Sequence, residues 1–146
     1  MAGKKFRFSL DGVLTVRHHQ TVKAEQALDV AARARRMQEE QLAAAEANLA
    51  GLPSARPGAA IGLADIQRQA AHRSDAMKAR AAARHALDAS HRHEGTARRA
   101  LTAARVPEEA LVTLRERERA AHRTAALRAE EAVIDEHVTA SYARRA

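Results

Sequence analysis

The side chains in this chain that could do chemistry are eight histidines and eighteen carboxylates, and their spacing decides what they can do. The histidines are His18, His19, His72, His85, His91, His93, His122 and His137, and none stands four residues from another. On a helix, neighbours one or two positions apart point to different faces, so His18 with His19 and His91 with His93 do not converge on a metal ion. They read as exposed, titrating histidines. The acid pairs Glu39-Glu40, Glu108-Glu109 and Glu130-Glu131 are adjacent in sequence and alternate with basic residues at helical spacing, which describes a solvated face stitched by ion pairs three and four residues apart. Gly51, Gly58 and Gly62 are too scattered for a phosphate loop and are followed by no Lys-Ser or Lys-Thr. The chain has no cysteine, which removes disulfides, thiolate nucleophiles and thiolate metal sites. The chain reads as a protein that is not an enzyme, with no cofactor and no metal.

The elements that carry these residues are helices. About a quarter of the 146 residues are alanine, the best helix former and a poor core filler, while the aromatics amount to two Phe, one Tyr and no Trp. An ordinary domain of this length has a core of large side chains, so the composition predicts an elongated helical protein treated as one domain over residues 1–146. The longest apolar runs are a few residues, too short to span a bilayer, and Met1 to Lys5 lead into no apolar block of a signal peptide. A cytoplasmic location without membrane insertion is expected.

The stretch Phe6-Arg7-Phe8-Ser9-Leu10-Asp11-Gly12-Val13-Leu14-Thr15-Val16-Arg17 opens the first helix. Ser9 is placed to cap it, Asp11 lies in a first turn that favours carboxylates, and Phe8 and Val13 stand at the two positions of a hydrophobic staple. From about residue 9 to 50 a heptad seam follows, with Leu14, Thr21, Leu28, Arg35, Leu42 and Leu49 on one edge. Leu10, Arg17, Ala24, Ala31, Gln38, Ala45 and Leu52 form the other. The seam is narrow and fits one or two partner helices, with Arg17, Arg35 and Gln38 snorkelling from it. A lone helix of this kind is not stable in water and must find a partner.

Residues 51–62 hold two of the three prolines and read as the reversal of a hairpin. Periodicity resumes at Leu63 with Ile66, Ala70, Arg73, Met77 and Arg80 or Ala81, and continues to Leu87 and Leu101. Pro107 kinks or breaks this helix near residues 105–107, and Pro107-Glu108-Glu109 also reads as a fresh first turn. A last segment to about residue 144 runs through Leu111, Leu114, Ala121, Leu127, Ile134, Val138 and Tyr142. The expected fold is all-α, a long antiparallel two-helix coiled-coil hairpin, in which Val138 and Tyr142 return beside Phe8 and Leu10.

The net charge of +7 is unevenly spread. Lys and Arg number eight against six acids in residues 1–52, ten against four in 53–106 and seven against eight in 107–146. The basic middle suits an acidic partner, but it lacks the aromatics that stack on single-stranded bases and the dense block of a basic zipper. Nucleic acid is not the expected partner, and an alanine face is a weak membrane anchor.

The two ends of the chain carry a resemblance. The opening Lys5 to Arg17 resembles the start of the FliJ family of flagellar type III export proteins: an aromatic-basic lead, Leu, two spacers, Val-Leu, two spacers, Arg. The closing Leu114-Arg115-Glu116-Arg117-Glu118-Arg119, with Glu130-Glu131-Ala132-Val133-Ile134-Asp135-Glu136, is similar to that family's Arg-Glu run and terminal apolar-Asp-Glu signature. The resemblance implies a cytoplasmic stalk, peripheral at the inner membrane, that sits in the ring of the export ATPase, touches the membrane export gate and binds export chaperones. Phe6, Arg7, Phe8, Val13, Arg17 and Tyr142 would then meet the ring, and Leu63 and Ile66 a second partner, the gate. The alternatives are a generic coiled-coil scaffold and a basic, nucleic-acid-binding coiled coil.

Overall fold

A computed structural model describes residues 5–53 and 62–144. Two helices account for nearly all of them, α1 over Asp11–Gly51 and α2 over Leu63–Ala143, and no strand occurs among the described residues. The fold is the all-α helical hairpin expected from the sequence. Most of the proposed reversal, residues 54–61, lies outside the described residues.

The start of α1 differs by one residue from the sequence reading. Leu14 N–H donates to the Leu10 carbonyl at 2.9 Å, so Leu10 occupies the capping position and Ser9 does not. The cap moves because Asp11 N–H already donates to the Phe8 carbonyl at 3.3 Å, folding Ser9 and Leu10 into a turn. Asp11 becomes the first helical residue, where the dipole favours its charge. The buried apolar residues are Phe8 and Leu14, each 8% exposed, whereas Val13 is 47% exposed.

Helix α2 is nearly twice as long as α1, 81 residues against 41, and helical geometry continues through both Gly95 and Pro107. There is therefore no break at residue 107. Its missing N–H leaves the Ala103 carbonyl without its usual partner, and Ala103 is exposed, so water can take that place. Gly62 begins α2 by accepting from Asp65 at 2.9 Å and Ile66 at 3.2 Å.

Burial along α1 follows the expected seam. Leu14 and Thr21 are buried, Leu28, Arg35, Leu42 and Leu49 are half-buried, and Ala31 on the other edge is 1% exposed. The seam of α2 is not where its large apolar residues suggest. Leu63, Ile66, Met77, Leu127, Ile134, Val138 and Tyr142 are all exposed, and so are Ala70, Arg73, Ala81 and Ala121. The residues turned inward recur every seventh position as Gln69, Ala76, Ala83, Ser90, Ala97, Ala104, Leu111 and Glu118, and again as Arg80, Leu87, Glu94, Leu101, Glu108 and Arg115. Small and charged side chains fill the facing edge, which lets two helices approach closely where Ala31 and Ala76 sit.

The chain divides into two compact units, Met1–Val22 with Ala103–Ala146, and Lys23–Thr102. In the second unit Arg35 ties the two helices together: its Nε donates to Glu94 Oε2 at 2.6 Å while its Nη1 donates to Glu39. Glu94 also accepts from Arg98 at 3.1 Å. The hydrogen bond to Glu94, and after it the one to Glu39, raise the Arg35 guanidinium above its ordinary pKa. An ion pair at this seam position favours one register, since a one-heptad slip would cost each half-buried charge its partner on the other helix and leave only the one on its own.

No helix of the described residues is long and apolar enough to cross a membrane.

Candidate functional site

The first unit is built on three meetings between the N-terminal stretch and α2. The Thr21 hydroxyl lies 3.3 Å from the Ala104 carbonyl, His18 Nδ1 lies 2.8 Å from Glu108 Oε1, and the rings of Phe6 and His122 are 5.7 Å apart at 59°. Position on α2 rises as position on the first strand of chain falls, so the pairing is antiparallel.

That register corrects the expected end of the hairpin. Val138 and Tyr142 do not return beside Phe8 and Leu10; the lead meets α2 where Phe6 faces His122, and Ile134, Val138 and Tyr142 are 61, 47 and 71% exposed. The cause is connectivity. A short link joins the end of α1 to the start of α2, so α1 can pair only with the part of α2 that its own length reaches. Residues 123–143, about 30 Å of helix at 1.5 Å per residue, run on past Phe6 with Leu127, Val133, Ile134, Val138 and Tyr142 all exposed.

The groove between the N-terminal stretch and α2 has two adjoining parts. One, of about 320 Å³, is lined by Phe6, Arg7, Phe8, Asp11 and Arg115. The next, of about 260 Å³, is lined by Asp11, Leu14, Thr15, His18, Glu108, Val112 and Arg115. Phe8 forms the buried floor of the first, Phe6 is half-buried, and Arg7 is exposed. Arg17 points away on the exposed side and donates to Gln20 at 3.1 Å. Of the six residues expected at one tip, five gather within the first turns of α1 and its lead, while Tyr142 stands apart at the far end of α2.

Glu108 is the most strongly tuned carboxylate of this unit. A hydrogen bond from Thr21, then one from His18, hold it below its ordinary pKa of 4.5, against the opposing effect of burial, with the charges of His18 and Arg105 adding to the depression. Thr21 has one hydroxyl proton and three acceptors near it, the Arg17 carbonyl at 3.2 Å, the Ala104 carbonyl and the Glu108 carboxylate. The proton is shared among them, and the cluster closes the helix pair around a polar layer. Sequence reasoning named His18 and Glu108 and set Thr21 in the seam but did not bring them together, because the contacts span 83 and 90 residues.

Leu63 and Ile66 are 72 and 51% exposed on the first turn of α2. They do not line the neighbouring cleft of about 510 Å³, which is formed by Leu52, Pro53, Asp65, Arg68, Gln69, His72 and Arg73. Arg68 is paired with Asp65 there. Among the described residues, no group of three or more His, Asp or Glu side chains is placed to hold a metal ion. His18 and His19 have ring centres 6.3 Å apart at 49°.

The chemistry available is thus that of surfaces: a groove with an aromatic floor, a helix end with exposed apolar residues, and a second apolar patch at the start of α2. Compared with known proteins, residues 6–146 match a family model described as Flagellar FliJ protein. No curated protein and no solved structure matches the chain.

Proposed function

The chain belongs to the FliJ family of flagellar export proteins, and on that premise we propose that it is the non-enzymatic central stalk of the export ATPase ring. In this reading the stalk works in the cytoplasm, peripheral to the inner membrane, and links the ring to the export gate and to export chaperones. The observation that carries the reading is the run of α2 beyond His122. A solvent-exposed single helix bearing Leu127, Val133, Ile134, Val138 and Tyr142 has no reason to keep these side chains in water unless a partner covers them. Phe6, Arg7, Phe8, Val13 and Arg17 then form the shoulder where the hairpin begins and meets the rim, with Tyr142 deepest. Leu63 and Ile66 serve the gate from the opposite end of α2.

The test is whether the purified protein stimulates assembly and ATP turnover of the export ATPase. Replacing Ile134, Val138 and Tyr142 by Ser is expected to abolish that stimulation while leaving helicity near the wild-type level, since all three are exposed. Full stimulation by the triple variant removes the stalk assignment of this segment. Leu63→Ala with Ile66→Ala is expected to weaken capture of the gate without touching ATPase stimulation; unchanged capture with unchanged circular dichroism removes the second contact.

A further inference from the structure

One surface is not used by either proposed contact. Taking the two inward columns of α2 as a frame, the outward columns between residues 78 and 99 carry Lys78, Arg84, Arg92, Arg98 and Arg99, every one of them exposed. His85 and His91 lie on the same columns. Arg98 is held by Glu94 at 3.1 Å, and Lys78 has Asp75 at 3.8 Å. Arg84, Arg92 and Arg99 have no carboxylate within ion-pair distance among the described residues; Arg99 reaches only the Thr96 hydroxyl, at 3.4 Å. One acid, Asp88, stands in the middle of the face and is exposed.

We propose that this face of α2 docks an acidic, heptad-patterned helix of a partner protein. Lys78, His85, Arg92 and Arg99 recur every seven residues, a repeat of about 10.5 Å along the axis. A second helix with carboxylates at the same repeat can set one opposite each of Lys78, Arg92 and Arg99, as flanking charges do in coiled coils. The sign pattern separates this partner from other polyanions. A nucleic acid presents phosphates without interruption, one per about 3.4 Å on each strand, so Asp88 adds repulsion at the centre of this face against a uniformly negative backbone. A protein helix can place a basic residue there. The face also has no aromatic on which bases could stack, and its apolar members are alanines, which gives a lipid surface little to bury. This inference is independent of the stalk reading, since it uses no residue assigned to the ring or the gate.

The experiment uses the full-length protein and three labelled probes followed by anisotropy. The first is a helical peptide with Glu at every seventh position and one Lys placed to meet Asp88. The second has the same composition with its glutamates shuffled out of heptad register, and the third is duplex DNA. The patterned peptide is expected to bind best, and the triple variant R84Q/R92Q/R99Q to bind it about tenfold more weakly, the sum of three exposed ion pairs. These are surface changes, so far-UV circular dichroism should not move. Asp88→Lys is expected to improve DNA binding and to weaken binding of the patterned peptide. Equal binding of the shuffled peptide, tighter binding of DNA by the wild type, unchanged binding by the triple variant, or no binding of the patterned peptide each overturns the proposal.

Discussion

Replacing Pro107 by Ala is expected to stabilise the protein. Pro107 lies well inside α2, where proline costs about 3 kcal/mol relative to alanine through the lost hydrogen bond and the crowding of the carbonyl four residues back. The acceptor it leaves vacant, on Ala103, regains a donor in the variant. Against this, the proline ring is half-buried, and removing two half-covered methylenes costs about 0.8 kcal/mol. The net gain is therefore about 2 kcal/mol, which for a chain of this length raises the midpoint of thermal unfolding by about 6–8 °C. Glycine at the same position lies about 1 kcal/mol below alanine in a helix interior, so Pro107→Gly should give about half the gain. The assay is helicity followed at 222 nm as temperature rises, with the three proteins compared in one buffer. A midpoint for P107A at or below the wild type, or a P107G midpoint above that of P107A, would refute the reasoning. The first result would mean that the ring supplies contacts outweighing the missing hydrogen bond, the second that the alanine methyl is not accommodated at this position.

Two further outcomes follow from the seam. Glu108 has its folded-state pKa lowered, so its contribution to stability is full above its unfolded pKa, near 4.5, and is lost as pH falls through the folded value. Stability measured by urea titration should drop below about pH 4.5, and E108Q should remove that carboxylate's share of the slope; superimposable profiles would show that the Thr21 and His18 contacts do not matter. Ala31 is 1% exposed, so Ala31→Leu must push the helices apart and should cost about 1–3 kcal/mol. The same change at half-buried Ala24 should cost less, and equal losses would show that the two sites are packed alike.

The first half of the fold was legible in the sequence because its seam is written in leucine: Leu14, Leu28, Leu42 and Leu49 sit at heptad spacing and are all turned inward. The second helix hides its seam. Its inward columns hold only three large apolar residues, Leu87, Leu101 and Leu111, among alanines and charges, and a reader following hydrophobicity is drawn to Leu63, Ile66, Met77 and Ile134, which face water. An alanine is silent in such a reading, since it serves a tight interface and an exposed helix face equally well. The meeting of Phe6 with His122 was likewise out of reach, because it depends on where the hairpin turns and on the relative lengths of the two helices. The lead itself was legible, with Phe8 buried and Asp11 in the first turn, and the residue opening the helix was missed by one local turn.

The division into a continuous unit and one made of the two chain ends also sets the order in which contacting residues are synthesised. Residues 23–102 can close on themselves, with Arg35 and Glu94 only 59 positions apart. The other unit needs contacts spanning 83 and 90 positions, between residues made at the start of synthesis and residues made late in it. On a ribosome the N-terminal stretch therefore emerges first and is completed last. Phe6, Phe8 and Leu14 wait without a partner until residues 104–122 have been made, a period in which this apolar lead is open to whatever binds nascent chains.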